Sequence, residues 1–261
     1  MKFINNGEKY LKMNEIKRIV VQSSRMGNLV IKRISKEKAK SLIIKNHYSK
    51  KLGANHGLFN YGIFQENKEA ENECLGVAVY GYMMHPKARH FTHPNPHALM
   101  LELNRMWISD ELGKNAETIL ISRSLKLLRE DCPNCVAVQS FADGRLGCGT
   151  IYKAANFQYY GHHRTTFIKN KRTGEISHEM NFTRMDSKGM YLRNNLAFLL
   201  GDVEVFQVDT YRYIFPLCKR FRYNKPSQPY PAYNRGVTPF EWQRNRKLIK
   251  ERLIKFISEL E

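Results

Sequence analysis

The sequence predicts a mixed α/β fold in which helices flank a mostly antiparallel central sheet. Residues 56–65 and 74–84 are rich in β-branched and aromatic side chains and are separated by a polar stretch, which is the pattern of a β-hairpin. Residues 116–131 repeat apolar side chains at helical spacing. Residues 135–142, CVAVQSFA, form a short apolar run of the kind that a buried strand needs. Hairpin strands followed by a helix and a buried strand are typical of an α/β domain.

Composition narrows the class of partner. The chain has 261 residues, enough for one large domain with appendages, and its 43 Lys and Arg against 24 Asp and Glu give a formal charge of +19. This excess of positive charge favours a polyanionic partner, with nucleic acid as the leading candidate. A basic membrane-surface protein is the alternative, but the first residues show no apolar anchor and no stretch approaches transmembrane length. Five cysteines without a secretory signal predict reduced thiols in a cytoplasm.

The first half of the chain is predicted to mix strands and helices. Residues 28–35 have the composition of a strand, and Ser35 is a suitable N-cap for a helix that continues to residue 47. The elements predicted after this helix are, in order, the hairpin of residues 56–84, a strand at 98–108, a helix at 116–131 and a strand at 135–142.

The second half is predicted to end in a long basic helix. The elements that precede it are a helix at 150–158, a hairpin formed by 165–170 and 178–185, and a strand at 211–217. Thr238 and Pro239 have the order of a cap followed by a first helical residue. An apolar stripe among Arg and Lys follows at Leu248, Ile249, Leu253, Phe256, Ile257 and Leu260. We therefore expect an amphipathic helix that packs on the core and turns a basic face toward nucleic acid.

Two segments have the residue types of a metal site. Cys132 and Cys135, in CPNC, have the spacing of a zinc pair, but a structural site needs four ligands and no second pair has this spacing. A Pro-Asn turn explains the segment more simply. Residues 85–97 carry four of the nine histidines among three prolines. We interpret this segment as a basic surface loop near nucleic-acid phosphates, with a metal site as the alternative.

The order of the elements resembles the GNAT acyltransferase superfamily. In that fold a loop before a helix offers backbone amides to a pyrophosphate, and here this loop is DELGKNAET, residues 110–118. The resemblance implies cofactor-binding residues at Gly113, Lys114, Asn115 and Ala116. The segment IYKAANFQYYG, residues 151–161, resembles the one in which such enzymes place a tyrosine that serves the leaving group.

Four motifs resemble a narrower family. They are HYS at residues 47–49, LELNRMWI at 101–108, QSFADG at 139–144 and IYKAANFQYYG at 151–161. Their order and separations are similar to those of the Mom family of bacteriophage DNA adenine-modification proteins. The likeness implies an N-terminal extension at 1–27, a GNAT-like catalytic domain at 28–216 and a basic C-terminal extension at 217–261 that ends in the amphipathic helix.

The resemblance implies a transferase that converts adenine in DNA to N6-carbamoylmethyl (acetamido) adenine. Such a modification protects phage DNA from restriction enzymes in the cytoplasm of the host cell. Two alternatives stay open. One is a GNAT N-acetyltransferase that uses acetyl-CoA on a protein or small molecule, and the other is a basic DNA-binding module without catalysis. The sequence does not indicate an oligomeric state.

The resemblance also implies which residues act. The catalytic positions are His47, Tyr48, Arg105, Asp143, Tyr152 and a serine of the helix 116–131, either Ser124 or Ser122. The N6 amine of adenine is a weak nucleophile, so its attack needs a proton acceptor, and Asp143 at the end of a buried strand is placed as a general base. The alternative for Asp143 is that it only opens an Asp-Gly turn. Tyr152 would serve the leaving group or orient the donor, and Arg105 would neutralise a phosphate.

The donor of the transferred group stays open. The new bond of the product is made at a methylene carbon, so ordinary acyl transfer from a thioester gives the wrong linkage. Acetyl-CoA and a glycine-derived group are both candidates. The resemblance further implies iron as a candidate, with Tyr48 and Asp143 as ligands and His47 beside them.

Contact with DNA requires both a surface for phosphates and a face for the base. The enzyme must flip adenine out of the stack or act on a single strand, because N6 is hidden in a duplex. The candidate aromatic faces are Tyr61, Phe91, Tyr159 and Tyr160, with a place in the core or at the rim of the site as the alternative for each. The candidate phosphate contacts are Lys50, Lys51, Lys87, Arg89 and Arg145.

Overall fold

The computed structural model describes residues 17–23, 25–69, 73–84 and 90–259. The chain divides into two compact units. The first unit consists of Met1–Ser140, Ile151–Tyr159 and Tyr213–Gln228, and the second of Phe141–Thr150, Tyr160–Arg212 and Pro229–Glu261. Most of the predicted extension 1–27, and the candidate DNA contacts Lys87 and Arg89, lie outside the described residues. The domain boundaries predicted after residues 27 and 216 stay predictions.

Strands and helices alternate along the described residues. The strands are β1 (Arg18–Ser23), β2 (Gly27–Arg33), β3 (Phe59–Gln65), β4 (Gly76–Tyr82), β5 (Phe91–Thr92), β6 (Leu99–Ile108), β7 (Cys135–Asp143), β8 (Gln158–Asn170), β9 (Ile176–His178), β10 (Val203–Pro216), β11 (Arg222–Tyr223) and β12 (Thr238–Pro239). The helices are α1 (Lys36–Asn46), α2 (Ala116–Asp131), α3 (Thr150–Ala154), α4 (Met180–Thr183), α5 (Lys188–Leu199) and α6 (Arg246–Ser258), and a 3-10 helix covers Asp110–Leu112. None of the helices in the described stretches is both long and apolar enough to span a membrane.

The first unit is built on a mixed sheet. Its strands lie in the order β1-β2-β3-β4-β6-β7, and every pair in this series is antiparallel except β6 with β7. The parallel ladder ends at Glu102 and Gln139, although β6 continues to Ile108. A separate two-stranded sheet joins β5 to β11. The prediction of a mixed, mostly antiparallel sheet flanked by helices is confirmed.

Helix α1 covers one face of this sheet. It begins after Ser35, whose side chain accepts a hydrogen bond from the N–H of Lys38, so the predicted cap is confirmed. Ala39, Leu42 and Ile43 of the helix pack in one hydrophobic cluster with Val77 and Val79 of β4. The side of the sheet on which Val79 lies is therefore the α1 face.

Helix α2 covers the opposite face. It spans Ala116–Asp131, as predicted. The hydroxyl of its Ser124 lies 2.7 Å from the hydroxyl of Tyr80, the β4 residue that follows Val79. Because successive residues of a strand point to opposite faces, α1 and α2 lie on opposite sides of β4.

Strand β6 contains a bulge where it pairs with β4. The ladder around it contains the pairs Val79 with Arg105, Tyr80 with Leu103 and Gly81 with Glu102. Asn104 is skipped, so one extra residue stands in β6 opposite the step from Val79 to Tyr80. Without that residue, Glu102 and Arg105 would point to opposite faces, since they are three positions apart. The bulge places both of them on the α1 face.

In the second unit the chain forms a hairpin and a group of helices. β8 and β9 pair antiparallel with Phe167 opposite His178, which confirms a hairpin. Its connection is shorter than the predicted 171–177, because Ile176 and Ser177 already pair with Lys169 and Ile168. The predicted second strand at 178–185 is wrong, because α4 occupies Met180–Thr183. Phe182 explains the difference, since it is buried in a cluster with residues of α5 and α6 and needs a helical turn to reach them.

The C-terminal helix is confirmed, but its predicted start is wrong. Thr238 and Pro239 form β12 and pair with β10. α6 begins at Arg246, and the side chain of Asn245 caps it by accepting a hydrogen bond from the N–H of Leu248. The buried stripe of the helix consists of Ile249, Leu253 and Phe256. Of the other predicted stripe residues, Leu248 and Ile257 are exposed and Leu260 lies outside the described residues.

Candidate active site

The end of α1 brings a histidine and a tyrosine together in the first unit. The N–H of His47 donates to the carbonyl of Ile43 and closes the last helical turn. The rings of His47 and Tyr48 lie with their centroids 4.2 Å apart. Ser49 approaches Nδ1 of His47 with its N–H at 3.1 Å and its hydroxyl at 2.8 Å. These contacts fix the imidazole, while the Tyr48 side chain is 56% exposed.

Arg105 reaches this turn from β6. Its Nε donates to the hydroxyl of Ser49 at 3.2 Å and to the carbonyl of Lys51 at 3.3 Å. Its Nη1 donates to the carbonyl of Asn104 at 2.6 Å. The guanidinium is therefore held by groups of the turn and of its own strand, with a fixed position on the α1 face.

The charge of Arg105 acts on two histidines. Burial, and after it the positive charge of Arg105, lowers the pKa of His47 to about 4. The same two causes, with a further contribution from Lys36, lower the pKa of His56 to about 4. Both imidazoles are therefore neutral near pH 7, where each can accept a hydrogen bond.

Tyr152 is buried close to this group. The hydroxyl of Ser140 lies 2.9 Å from the Tyr152 hydroxyl, and the Tyr152 ring packs against that of Tyr213 with centroids 5.2 Å apart. Burial raises the pKa of Tyr152 to about 12, and nearby Tyr48 and Glu102 add to the rise. The phenol thus keeps its proton near pH 7 and can donate it. The sequence predicted Tyr152 as a site residue, and it lies within electrostatic reach of Tyr48.

The same part of the first unit contains a carboxylate that the sequence analysis did not single out. Oε2 of Glu102 accepts a hydrogen bond from Nε2 of Gln139 at 2.8 Å, and Oε1 accepts one from Nδ2 of Asn104 at 3.3 Å. Glu102 also interacts electrostatically with Tyr152. The motif LELNRMWI contains Glu102, but it predicted only Arg105 as a site residue. The bulge that places both side chains on the same face of the sheet has no signal in the sequence. We call the group Tyr48, Glu102, Asn104, Arg105, Gln139 and Tyr152 the β6 cluster.

Asp143 opens a turn in the second unit. Its Oδ1 accepts a hydrogen bond from the N–H of Arg145 at 3.0 Å, and its carbonyl accepts from the N–H groups of Leu146 and Gly147. The guanidinium of Arg145 forms an ion pair with the carboxylate, with Nε 2.9 and 3.0 Å from the two oxygens, and lies over the ring of Phe167. This geometry agrees with the alternative given for Asp143 from the sequence, in which the residue opens an Asp-Gly turn. Tyr48 and Asp143 belong to different units, and their proximity stays a prediction.

The predicted cofactor loop precedes α2. Gly113 and Asn115 both have left-handed backbone conformations, with φ of 75° and 67°. Asn115 occupies the N-cap position but makes no capping hydrogen bond with its side chain. This end of α2 suits an anion, because the N–H groups of a first helical turn have no partners within the helix. The assignment of Gly113, Lys114, Asn115 and Ala116 to a cofactor stays a prediction.

Comparison with known sequences decides the family. Residues 28–232 match the Mom protein family. The chain belongs to the Mom protein family. A Mom relative, the methylcarbamoylase Mom of Escherichia phage Mu, is 34% identical over 203 residues, which cover 74% of this chain and 79% of that protein. The resemblance carried by the four sequence motifs is thus confirmed.

Solved structures with a similar fold are distant in sequence from this Mom protein. NAA60 of Arabidopsis thaliana in complex with acetyl-CoA gives a TM-score of 0.45 at 9% identity, over 72% of this chain and 99% of that one. The ribosomal-protein-S5-alanine acetyltransferase from Vibrio fischeri gives 0.40 at 10% identity, over 77% and 98%. Scores of this size say nothing about the substrate or the donor of the Mom protein.

Iron, which the resemblance to the Mom family implied, does not fit the observed donor set. Both oxygens of Asp143 are engaged by Arg145, so a cation there would have to displace the guanidinium. Across the described stretches of the chain, no three side chains of His, Cys, Asp or Glu are grouped so that they could hold a metal ion. We therefore derive no step through a metal.

The two candidate serines differ in their surroundings. Ser124 is fully buried, and its hydroxyl contacts the hydroxyl of Tyr80. Ser122 is exposed, and its hydroxyl donates to the carbonyl of Ile119 at 3.0 Å. A role for Ser124 in the reaction would act through Tyr80, whereas Ser122 lies at the surface of α2.

Most of the predicted aromatic faces are used in the protein core. Tyr61, Phe91 and Tyr159 are 0%, 5% and 4% exposed, so the prediction that they receive a base is wrong. The hydroxyl of Tyr61, for example, donates to Asp131 at 2.9 Å. Tyr160 is half-buried. Exposed rings exist instead at Tyr48 in the first unit and at Tyr233, which is 70% exposed, in the second.

The candidate phosphate contacts also divide into two kinds. Lys50 and Lys51 are exposed on the turn after α1, where they follow Tyr48 and Ser49. Lys50 has a left-handed backbone, with φ of 46°. Arg145 is engaged with Asp143, so its guanidinium would have to serve the turn and a phosphate at once.

Proposed function

We propose that this chain is a transferase that attaches a carbamoylmethyl group to N6 of adenine in DNA. The observation that carries the proposal is the 34% identity to the methylcarbamoylase Mom of Escherichia phage Mu. A formal charge of +19 supports a polyanionic substrate. Modified adenines would then protect phage DNA from restriction enzymes in an infected host cell.

The β6 cluster supplies groups that such a reaction needs. The pKa of Tyr152 is raised to about 12, so this phenol keeps a proton for a leaving group. Arg105 is fixed by the turn after α1 and supplies a positive charge for an anionic part of the donor. The exposed ring of Tyr48 offers a face on which an unstacked adenine can lie. His47, held by Ser49, supports that ring from the other side.

The donor must deliver a methylene carbon to nitrogen. Attack on a thioester carbonyl would produce an amide, which is a different linkage from a carbamoylmethyl amine. The carbamoylmethyl product therefore requires a donor that carries a leaving group on its methylene carbon. Such a donor can be built from a glycine-derived group or from acetyl-CoA. The amides at Gly113, Lys114, Asn115 and Ala116 would hold the phosphates of such a donor if it carries a coenzyme.

Contact with DNA is proposed to be electrostatic and only weakly sequence-selective. Lys50 and Lys51 are exposed two and three residues after Tyr48 in the sequence, and we propose that they hold phosphates next to an unstacked base. Lys87, Arg89 and Arg145 are further candidates for the same kind of contact. Asp143, through its turn, would present Arg145 to the backbone and orient the loop that follows β7.

Mass spectrometry of nucleosides tests the function directly. DNA from cells that express the chain should contain a deoxyadenosine heavier by an acetamido group, and DNA from cells that express Tyr48→Phe serves as the matched control. Unmodified DNA together with newly acetylated protein would instead identify an N-acetyltransferase. Modification in both cultures would retain the function and remove the Tyr48 hydroxyl from its mechanism.

A further inference from the structure

We propose that Glu102 accepts the proton that leaves N6 of adenine. The inference rests on the proposed function and deepens it, because it assigns a residue to the step that makes the amine nucleophilic. Glu102 is the carboxylate of the β6 cluster, in the same unit as Tyr48, Arg105 and Tyr152.

The bulge in β6 brings Glu102 to this position. Skipping Asn104 in the ladder puts Glu102 and Arg105 on one face of the sheet, the α1 face. The parallel pairing of β6 with β7 ends at Glu102 and Gln139, and directly after them the hydroxyl of Ser140 donates to the carbonyl of Leu103 at 3.2 Å. Tyr152 lies near enough to interact electrostatically with Glu102, Tyr48 and Arg105. The Tyr152 phenol, which keeps its proton, is therefore close to both the Glu102 carboxylate and the exposed Tyr48 side chain.

The hydrogen bonds of Glu102 suit a group that gains and loses a proton. Its two oxygens accept from the uncharged amides of Gln139 and Asn104. Asp143, by comparison, is bound to the guanidinium of Arg145, and taking a proton would mean giving up that ion pair. A general base must tolerate its protonated form as well as the charged one, and an amide that donates to the carboxylate can turn to offer its oxygen instead.

Asn104 can form a hydrogen bond with both the charged and the neutral form of Glu102. Its Nδ2 donates to the carboxylate, and its Oδ1 is buried without a hydrogen-bond partner among the described residues. Turning the amide by about 180° would exchange the two atoms and offer Oδ1 to the proton of a neutral Glu102. Gly81 leaves room for this amide, since a Cβ there would lie 2.6 Å from the carbonyl of Asn55 and would strike Asn104.

The step balances without a further reactant. The N6–H bond breaks and its proton moves to Glu102, while the electron pair of N6 forms a bond to the methylene carbon of a carbamoylmethyl donor. The bond from that carbon to the leaving group breaks, and the leaving group departs with the electron pair and takes the proton of Tyr152. The proton on Glu102 then returns to Tyr152, so that the net transfer is from N6 to the leaving group.

Four variants and a small-molecule rescue test the proposal. The kcat and KM for adenine modification in DNA are measured for Glu102→Gln, for Glu102→Ala with and without added formate, for Asp143→Asn with formate, and for Glu73→Gln. Glu73 is an exposed glutamate between β3 and β4 and is the matched control. Melting temperatures show which variants are folded.

The proposal expects Glu102→Gln to lower kcat by about 100-fold or more with little change in KM. Formate should restore activity to Glu102→Ala in proportion to its concentration, and it should not restore Asp143→Asn. Glu73→Gln should equal the wild type. A merely structural role of Glu102 would give no response to formate, which overturns the proposal even if Glu102→Gln is inactive. Glu102→Gln within twofold of the wild type overturns it as well, while an inactive wild type removes the proposed function and this inference with it.

Discussion

Arg105 donates a hydrogen bond from Nε to the hydroxyl of Ser49 at 3.2 Å and so ties β6 to the turn that follows α1. The bond keeps a positive charge close to two half-buried imidazoles. His47 and His56 both have a pKa lowered to about 4, in each case by burial first and by Arg105 second. One side chain therefore links the position of the turn to the protonation of two histidines.

Replacing Arg105 should raise the pKa of both histidines. In Arg105→Gln the Coulombic effect of Arg105 disappears while burial, and for His56 also the charge of Lys36, remains, so each pKa should rise from about 4 part of the way to 6.5. Nuclear magnetic resonance titration of the imidazole protons measures both values. Arg123→Gln, an exposed change on α2, is the matched control and should leave them unchanged. Values that stay near 4 in Arg105→Gln would show that burial alone sets them.

Stability should fall in acid because of His56. The folded chain keeps this imidazole neutral down to about pH 4, whereas the unfolded chain binds a proton near pH 6.5. The contribution of His56 is therefore complete above pH 6.5 and is lost as the pH falls to about 4. Arg105 and Lys36 are the charged groups that oppose its protonation. Unfolding in urea at pH 7 and pH 4.5 should show a smaller acid loss for His56→Asn than for the wild type, and equal losses would contradict this.

Two glycine substitutions should have opposite effects. In Gly81→Ala the new methyl group meets Asn104 and the backbone of Asn55 and His56, so the free energy of unfolding should fall by about 1–3 kcal/mol. Gly189 lies in α5 with open space around it, and Gly189→Ala should stabilise the chain by up to about 1 kcal/mol through its helix propensity. Urea denaturation measures both. A neutral Gly81→Ala would mean that the bulge can shift to make room.

Tyr48→Phe and Asp143→Asn should stop modification without unfolding the chain. The first removes a hydroxyl and keeps the ring, and the second removes the charge that holds Arg145. Tyr48→Phe should lower the rate by more than about 100-fold at nearly unchanged DNA affinity, whereas Asp143→Asn releases Arg145 from its turn and should weaken DNA binding as well. Nucleoside mass spectrometry and fluorescence anisotropy with labelled DNA measure the two properties separately. If Tyr48→Phe kept full activity, only the ring of Tyr48 would matter.

Lys50→Ala combined with Lys51→Ala should weaken DNA binding and spare the chemistry at saturating DNA. Each lost phosphate contact reduces the slope of log K against log salt by about 0.9, so the double variant should lose about 1.8 of this slope. The matched control is Lys68→Ala with Lys126→Ala, which removes the same charge from exposed positions elsewhere in the first unit. An identical slope in both double variants would show that net charge, and not the turn after α1, governs binding.

Much of the fold was predictable because local signals agreed with the tertiary structure. Ser35 caps α1 and α2 runs from Ala116 to Asp131, as capping chemistry and apolar spacing predict. Local sequence signals predicted the wrong element where tertiary packing favours another one. Thr238 and Pro239 look like a helix start, yet the edge of β10 binds them as a strand. β1 and α5 were not predicted, and both are held by contacts with neighbouring elements.

The site was predictable only where a motif names a residue. His47, Tyr48, Arg105 and Tyr152 lie in motifs, and in the first unit Tyr152 interacts with both Tyr48 and Arg105. Glu102 stands in the same LELNRMWI motif, but period-2 alternation assigns it to the face opposite Arg105. The bulge reverses this assignment, and it has no glycine or proline to announce it. That the predicted residues of the second unit complete the site stays a prediction.

The bulge at Asn104 also constrains how related chains can change in length. A point substitution in β6 alters one side chain, but the loss of a single residue between Glu102 and Arg105 would restore a regular ladder and turn one of the two away from the α1 face. The interval LELNR is therefore a place where the number of residues matters more than their identity. Loops such as the connection between β3 and β4 carry no such restriction, and evolution is free to lengthen or shorten them while the count inside β6 is kept.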